Sequence, residues 1–204
     1  THLQTRALAP AGTGAVLLLE VDGLDAAARE EAERVAEACR AADATEVLVA
    51  HDAVTRQELW HVRRSLSLSL KVLAPLKINH DVVVPKGRIP ELFALVERLR
   101  AASPGVRIPC FGHVGDGNIH VNMMLDPADA LALQAARAAE RALFEGVVAL
   151  EGSISGEHGI GFSKLPFVPL ELSPENIALQ RRVKAAFDPL NILNPGKMFP
   201  DVAI

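Results

Sequence analysis

The stretch Pro109 to Met124, PCFGHVGDGNIHVNMM, limits the fold more than any other part of the chain. Asp116-Gly117 stands between two runs of strand-forming residues. That is the strongest short-range signal for a hairpin closed by a two-residue turn, in which both central residues need positive φ. A turn at Asp116-Gly117 sets Gly115 opposite Asn118, Val114 opposite Ile119 and His113 opposite His120. Directly opposed residues of antiparallel strands hold their Cβ atoms roughly 4.5–5.5 Å apart on one face. Two imidazoles then sit side by side, at a spacing that one metal ion can bridge. Asn122, two residues beyond His120, shares that face.

The rest of the chain supplies what such a hairpin needs around it. Gly14–Val21 (GAVLLLEV) reads as a buried strand and Thr45–Ala50 (TEVLVA) as a short one. Between them Asp25 is a candidate cap for a helix from about Ala26 to Ala42. Asp52 or Thr55 opens a helix through about Leu70. Leu76–Pro85 (LKINHDVVVP) reads as a strand ended by proline. Pro90 begins a helix through about Ala102, with Phe93, Val96 and Leu99 on one face. Asp126-Pro127 opens another, from about Ala128 to Leu150. Ser173-Pro174-Glu175 starts a last helix, ending near Phe187. The tail Asn191–Pro200 is irregular. The hairpin and the solitary strands suit an antiparallel sheet with helices packed mainly on one face, an α+β fold. A parallel α/β sheet is the alternative. With 204 residues and no convincing linker, the chain is expected to form a single domain over 1–204.

Charge excludes some functions. The formal net charge is -4, so no global field draws the chain to nucleic acid or an anionic membrane. The basic pairs Arg63-Arg64 and Arg181-Arg182 do not extend into patches. Cys39 and Cys110 lack CxxC spacing and read as reduced core residues of an intracellular protein. No apolar run reaches the ~18 residues of a membrane helix.

The chemistry concentrates at the hairpin and at Gly152–Gly161 (GSISGEHGIG). Glycines there permit tight turns and close approach to a ligand, but the stretch has neither GxGxxG nor GK[ST] and is no phosphate loop. His113, His120 and Glu157 together would make a two-histidine, one-carboxylate set, as found at catalytic zinc and other divalent ions. The plainer alternative is a cross-strand histidine pair on a wet face, and spacing alone favours it. On the same footing His158 is an ordinary loop histidine, Trp60 a core residue and Arg63 a solvated arginine.

Four motifs change those weights: LWHVR (Leu59–Arg63), KINHDVVVP (Lys77–Pro85), GHVGDGNIHVN (Gly112–Asn122) and SGEHGIG (Ser155–Gly161). With the tail FDPLNILNPGKMF (Phe187–Phe199) they resemble, in order, the C-terminal cap or substrate domain of FAD-linked oxidases with a vanillyl-alcohol-oxidase-type flavin domain. That family includes D-lactate dehydrogenases, the glycolate oxidase flavoprotein subunit and D-2-hydroxyglutarate dehydrogenase. Its members carry an FAD-binding domain upstream of these motifs. This chain lacks one and is expected to be a cap, excised or separately encoded.

The resemblance implies oxidation of a D-2-hydroxy acid by hydride transfer from C2 to N5 of FAD. It matches His113, His120 and Glu157 to ligands of a divalent metal (Zn, Mn or Fe), and His158 to the general base. It matches Arg63 to a clamp on the substrate carboxylate, with Lys77 and Asn122 as further substrate-binding residues. Asn194 and Lys197 of the tail match flavin-contacting positions. The chain departs from the pattern at Asn79, where some relatives carry lysine, and at His80, where many carry an acidic residue. The implied partners are the flavin domain, an electron-acceptor subunit (quinone, electron-transfer flavoprotein, cytochrome or iron–sulfur protein) and, through an apolar patch bared by the missing domain, a second copy of the chain. The implied setting is cytoplasmic or peripheral to the inner membrane. A stand-alone metal- or ligand-binding module and, less favoured, a metallohydrolase are the other classes. No HExxH helix supports the hydrolase.

Overall fold

The computed structural model describes residues 12–199. The chain divides into two compact units, Thr1–Ser69 and Leu70–Ile204. In the first unit the described residues form two helices, α1 (Asp25–Ala41) and α2 (Ala53–Ser69). Asp52 caps α2: its carboxylate accepts the Thr55 backbone N–H and the Thr55 hydroxyl, both at 2.8 Å. Asp25 is not a cap. It is the first residue of α1, where its charge meets the positive end of the helix dipole. Trp60, expected in a core, is only half-buried, and α2 has no fully buried residue.

The two strands expected in this unit do not form. A strand is stable only beside a partner, and among the described residues of the unit there is no ladder for Gly14–Val21 or Thr45–Ala50 to join. Val16, Leu17 and Leu19 are more than half exposed. Apolar, β-branched composition without a partner is not enough.

The second unit is built on a three-stranded antiparallel sheet in the order β1–β3–β2. The strands are β1 (Leu76–Val83), β2 (Cys110–His113) and β3 (Asn118–Leu125). The α+β reading holds, and the parallel alternative does not. β3, buried along its whole length, is the central strand. Leu76 pairs with Leu125 and Val83 with Asn118 at the two ends of the β1–β3 ladder. Pro85 cannot donate to a ladder, and β1 stops just before it.

Alternation along the strands sorts the two faces. Val82, Ile119, Val121, Met123 and Leu125 turn to one core with the helices α3 (Ile89–Ala102) and α4 (Ala130–Ala149). From α4, Ala132, Ala136, Ala139, Leu143 and Val147 recur at helical spacing to form the buried stripe. Leu92, Val96 and Leu99 come from α3. Leu92 takes the place expected for Phe93, which lies on the outer side at 36% exposure. α4 begins later than expected. Asp129 caps it by accepting the N–H groups of Leu131 and Ala132, while Asp126 closes the preceding turn onto Ala128.

A short helix α5 (Val168–Glu171) precedes α6 (Pro174–Phe187), which Ser173 caps by accepting the Asn176 N–H. Cys39 and Cys110 are free thiols. Among the described residues no helix is long and apolar enough to cross a membrane.

Candidate functional site

The hairpin forms where expected, in a different register. His113 pairs with Asn118, Gly112 with Ile119 and Phe111 with His120. The turn takes four residues rather than two. Val114–Asp116 make one 3₁₀ turn, and only Gly117 is left-handed, with φ 77°. The neighbouring chain holds this loop: the Gly117 carbonyl accepts the Val84 N–H at 3.1 Å. A Cβ on Gly117 would lie 2.1 Å from the Val84 oxygen, so no other residue fits. The register differs from the expected one by two residues, and an even shift leaves every side chain on its face. His113 and His120 therefore stay together as diagonal neighbours, ring centroids 6.0 Å apart.

The glycine-rich loop 152–161 reaches the same face. His120 Nε2 lies 3.3 Å from Glu157 Oε1, and His158 Nε2 lies 3.6 Å from that oxygen. The His158 ring stacks on His120 at 5.3 Å and 23°. One ligand atom each of His113, His120 and Glu157 lies within 4.8 Å of the others. A cleft of about 300 Å³ opens there, lined by Val83, His113, Asp116, Asn118, Gly156 and Glu157. Burial lowers the pKa of His120, although the carboxylates of Asp81 and Glu157 pull the other way. The neutral imidazole so favoured is the form a metal requires. The donor set fits a zinc, manganese or iron ion.

Two buried residues that the sequence did not single out hold this arrangement. Asp81, on β1, accepts the backbone N–H groups of Gly156, Glu157 and His158 on Oδ2. Burial alone would raise the pKa of Asp81. The His158 N–H, the Asn118 amide, the Glu157 N–H and the Lys164 charge outweigh it and hold the carboxyl at about 2. Lys164 is buried and donates its ammonium to the Asp81 carbonyl at 2.8 Å. Gly156 is dictated by close approach: a Cβ there would lie 1.8 Å from Asn118 Nδ2.

Residues 2–198 match the family of FAD linked oxidases, C-terminal domain. The chain belongs to that family. Over 190 residues, 93% of the chain and 40% of the relative, it is 36% identical to glycolate oxidase subunit GlcD of Bacillus subtilis. It is 33% identical over 185 residues to a probable mitochondrial D-lactate dehydrogenase of Danio rerio, covering 89% of the chain and 37% of that protein. It is 35% identical over 147 residues to D-2-hydroxyglutarate dehydrogenase of Stutzerimonas stutzeri, covering 70% of the chain and 31% of that protein. The chain thus spans 40% or less of these relatives.

The remaining expected site residues of this FAD-linked oxidase domain are more scattered. Lys77 lies on β1 with its ammonium 5.8 Å from the Phe111 ring centre, and burial and then Lys71 lower its pKa. Asn122 has no exposed surface. Its amide donates to the carbonyls of His120 and Pro109, and its oxygen accepts from Asn79 at 2.8 Å. Asn194 and Lys197 come together, ammonium to amide oxygen at 3.0 Å, with Lys197 over the Phe162 ring. The backbone N–H of Met198 donates to the Gly161 carbonyl, tying this tail to the end of the glycine-rich loop. Arg63 lies half-buried on α2 in the first unit.

Proposed function

We propose that the chain is the substrate- and metal-binding portion of an FAD-dependent dehydrogenase. Its substrate is a D-2-hydroxy acid of the lactate, glycolate or 2-hydroxyglutarate kind, oxidised to the 2-oxo acid. One observation carries this reading: ligand atoms of His113, His120 and Glu157 lie within 4.8 Å of one another, with His158 stacked on His120. A divalent ion held by those three residues would acidify the substrate hydroxyl and fix its oxygens, while FAD, bound mainly by a separate domain, supplies the hydride acceptor.

The chain's own residues do the rest. His158, about half exposed at 53%, takes the hydroxyl proton at its imidazole as hydride leaves C2. Stacking on His120 limits how far that ring can swing. Lys77 adds a cation at the Phe111 end of the same sheet face. Arg63 and Asn122 are assigned by their motifs alone: a guanidinium such as that of Arg63 suits a carboxylate through two parallel N–H bonds, and Asn122, buried and bonded to His120, Pro109 and Asn79, acts by holding the strand that carries His120. Asn194 and Lys197 offer an amide and an ammonium to the flavin. Reoxidation of the flavin falls to a separate electron acceptor, and a homodimer is part of the same reading.

The test uses the full-length protein carrying this domain, loaded with FAD. Dye-linked oxidation is measured with D-lactate, glycolate and D-2-hydroxyglutarate, beside elemental analysis. Turnover of at least one acid is expected, abolished in His158→Ala. About one divalent ion per chain, the stoichiometry of a single catalytic site, is expected in the wild type and lost in His113→Ala and His120→Ala. Unchanged turnover in His158→Ala removes that residue from the mechanism, and full activity in a metal-free protein removes the ion.

A further inference from the structure

Asp81 has no part in the site as proposed so far, yet it is bonded to most of it. It is fully buried, and its two oxygens face different partners. Oδ2 accepts three consecutive backbone N–H groups, from Gly156 at 3.0 Å and from Glu157 and His158 at 2.8 Å. Oδ1 accepts the Asn118 amide at 2.6 Å and lies 3.9 Å from His120 Nδ1. Three N–H groups aimed at one point make an anion-binding nest. Here a side chain from β1 fills it. Without that acceptor nothing on β1 would hold the Glu157 and His158 backbone N–H groups at this place, and the loop would be free to take another path.

His120 adds a second line. Its Nε2 faces Glu157, and its Nδ1 is buried without a hydrogen-bond partner, turned towards Asp81. A carboxylate behind a ligating imidazole fixes its tautomer and its orientation. Ligand atoms of Asp81, His120 and His158 also come within 4.8 Å of one another. With four donors on its oxygens and no exposed surface, however, Asp81 has little left to offer an ion directly.

We infer that Asp81 is the positioning residue of this site. Through Oδ2 it fixes the backbone of Glu157 and His158. Through its Oδ1 side it sets the His120 ring with Nε2 turned to the ion. This rests on the metal-binding reading above.

Asp81→Ala is the sharp variant. It removes both acceptor oxygens, whereas in Asp81→Asn the NH₂ can turn to Asn118, whose partnerless Oδ1 accepts it after an amide flip and leaves the loop N–H groups bonded. Three quantities are measured on the full chain: amide hydrogen exchange, the His120 tautomer by ¹⁵N resonance, and the zinc dissociation constant with zinc alone. Glu157 and His158 are expected to lose amide protection, the His120 tautomer to change, and zinc binding to weaken by about 10–100-fold; Gly156 keeps its second bond, to the Asp81 backbone carbonyl. Exchange in α3 and α4 is expected to stay native. Leu99→Ala, in the core under α3, is the control: stability falls and zinc affinity holds.

Lost protection with unchanged zinc affinity would reduce Asp81 to a structural residue and overturn the inference, as would retained protection. If Asp81→Ala does not fold, Asn118→Ala decides. Weaker zinc binding in an otherwise native protein supports the role, and unchanged affinity overturns it. A wild type that binds no zinc sinks the metal reading. Exchange at Glu157 and His158 in the metal-free proteins then decides for Asp81 on its own: loss in the variant supports it and retention overturns it.

Discussion

The two faces of the sheet are made from alternate residues of the same strands, yet they obey different rules. Both are buried. The helix-covered face carries Val82, Ile119, Val121, Met123 and Leu125, with His80 as its polar exception. The other face carries Asp81, Asn118, His120 and Asn122, linked by hydrogen bonds to one another, to Asn79 and to the glycine-rich loop. Depth therefore does not separate core from site here; hydrogen-bonding capacity does. The apolar face is closed and gains from tight filling. Buried atoms without partners occur on both: Asn118 Oδ1 and His120 Nδ1 on the polar face beside the cleft, and His80 Nε2 on the apolar one. Stability and chemistry are assigned to opposite sides of one ribbon.

Substitutions can break that division. Phe144, fully buried between His80 and Phe167, belongs to the closed face alone. Phe144→Ala is expected to cost about 3–5 kcal/mol in urea unfolding, with zinc binding by the folded protein unchanged. A parallel loss of zinc affinity would show that the faces are coupled.

His80 is the next largest effect. Burial, with Lys164 adding to it, pushes its pKa down to about 4. Neutral His80 then faces Glu140 Oε1 at 3.6 Å without forming an ion pair. The unfolded chain binds the proton more readily, so stability is full above about pH 6.5 and falls as the pH drops towards 4. The loss is of order 3 kcal/mol at most. Glu140, its pKa raised by burial, works in the opposite direction. The difference between wild type and His80→Leu isolates the histidine: the variant's urea midpoint should vary less between pH 4 and 6.5.

Gly156→Ala acts on the polar face by driving a methyl group into the Asn118 amide. A cost of about 1–3 kcal/mol is expected, with weaker zinc binding read by calorimetry. Last comes His113→Ala, at an exposed position. Its stability should move by less than about 0.5 kcal/mol, although the bound ion is lost. A large stability change there would mean that His113 serves packing as well.

The sequence carried the second unit well and the first poorly, for physical reasons. Caps and prolines act within a turn of their own position, so Ser173-Pro174 marked the start of α6 and Asp52 that of α2. The hairpin was legible because strand propensity and Asp-Gly are local, but its register was not. Asp-Gly reads as a two-residue turn, while the Val84–Gly117 hydrogen bond favours a four-residue loop, and nothing near residue 116 announces Val84. Parity survived the error, so the histidine pair did too. Asp81 and Lys164 stayed hidden because their partners lie 75 to 83 positions away along the chain. Strand propensity at Gly14–Val21 and Thr45–Ala50 misled because it says nothing about a partner.

The strand order β1–β3–β2 also sets a timetable. On a growing chain β1 emerges first, but the strand it pairs with among the described residues is the last of the three to be made. β2 and β3 can close on each other across four residues at once, the cheapest step in loop entropy. β1 must wait for that hairpin. The three amides that Asp81 gathers are made later still. The site is thus completed only after the sheet, and an ion arriving early would meet its two histidines before the carboxylate that completes them.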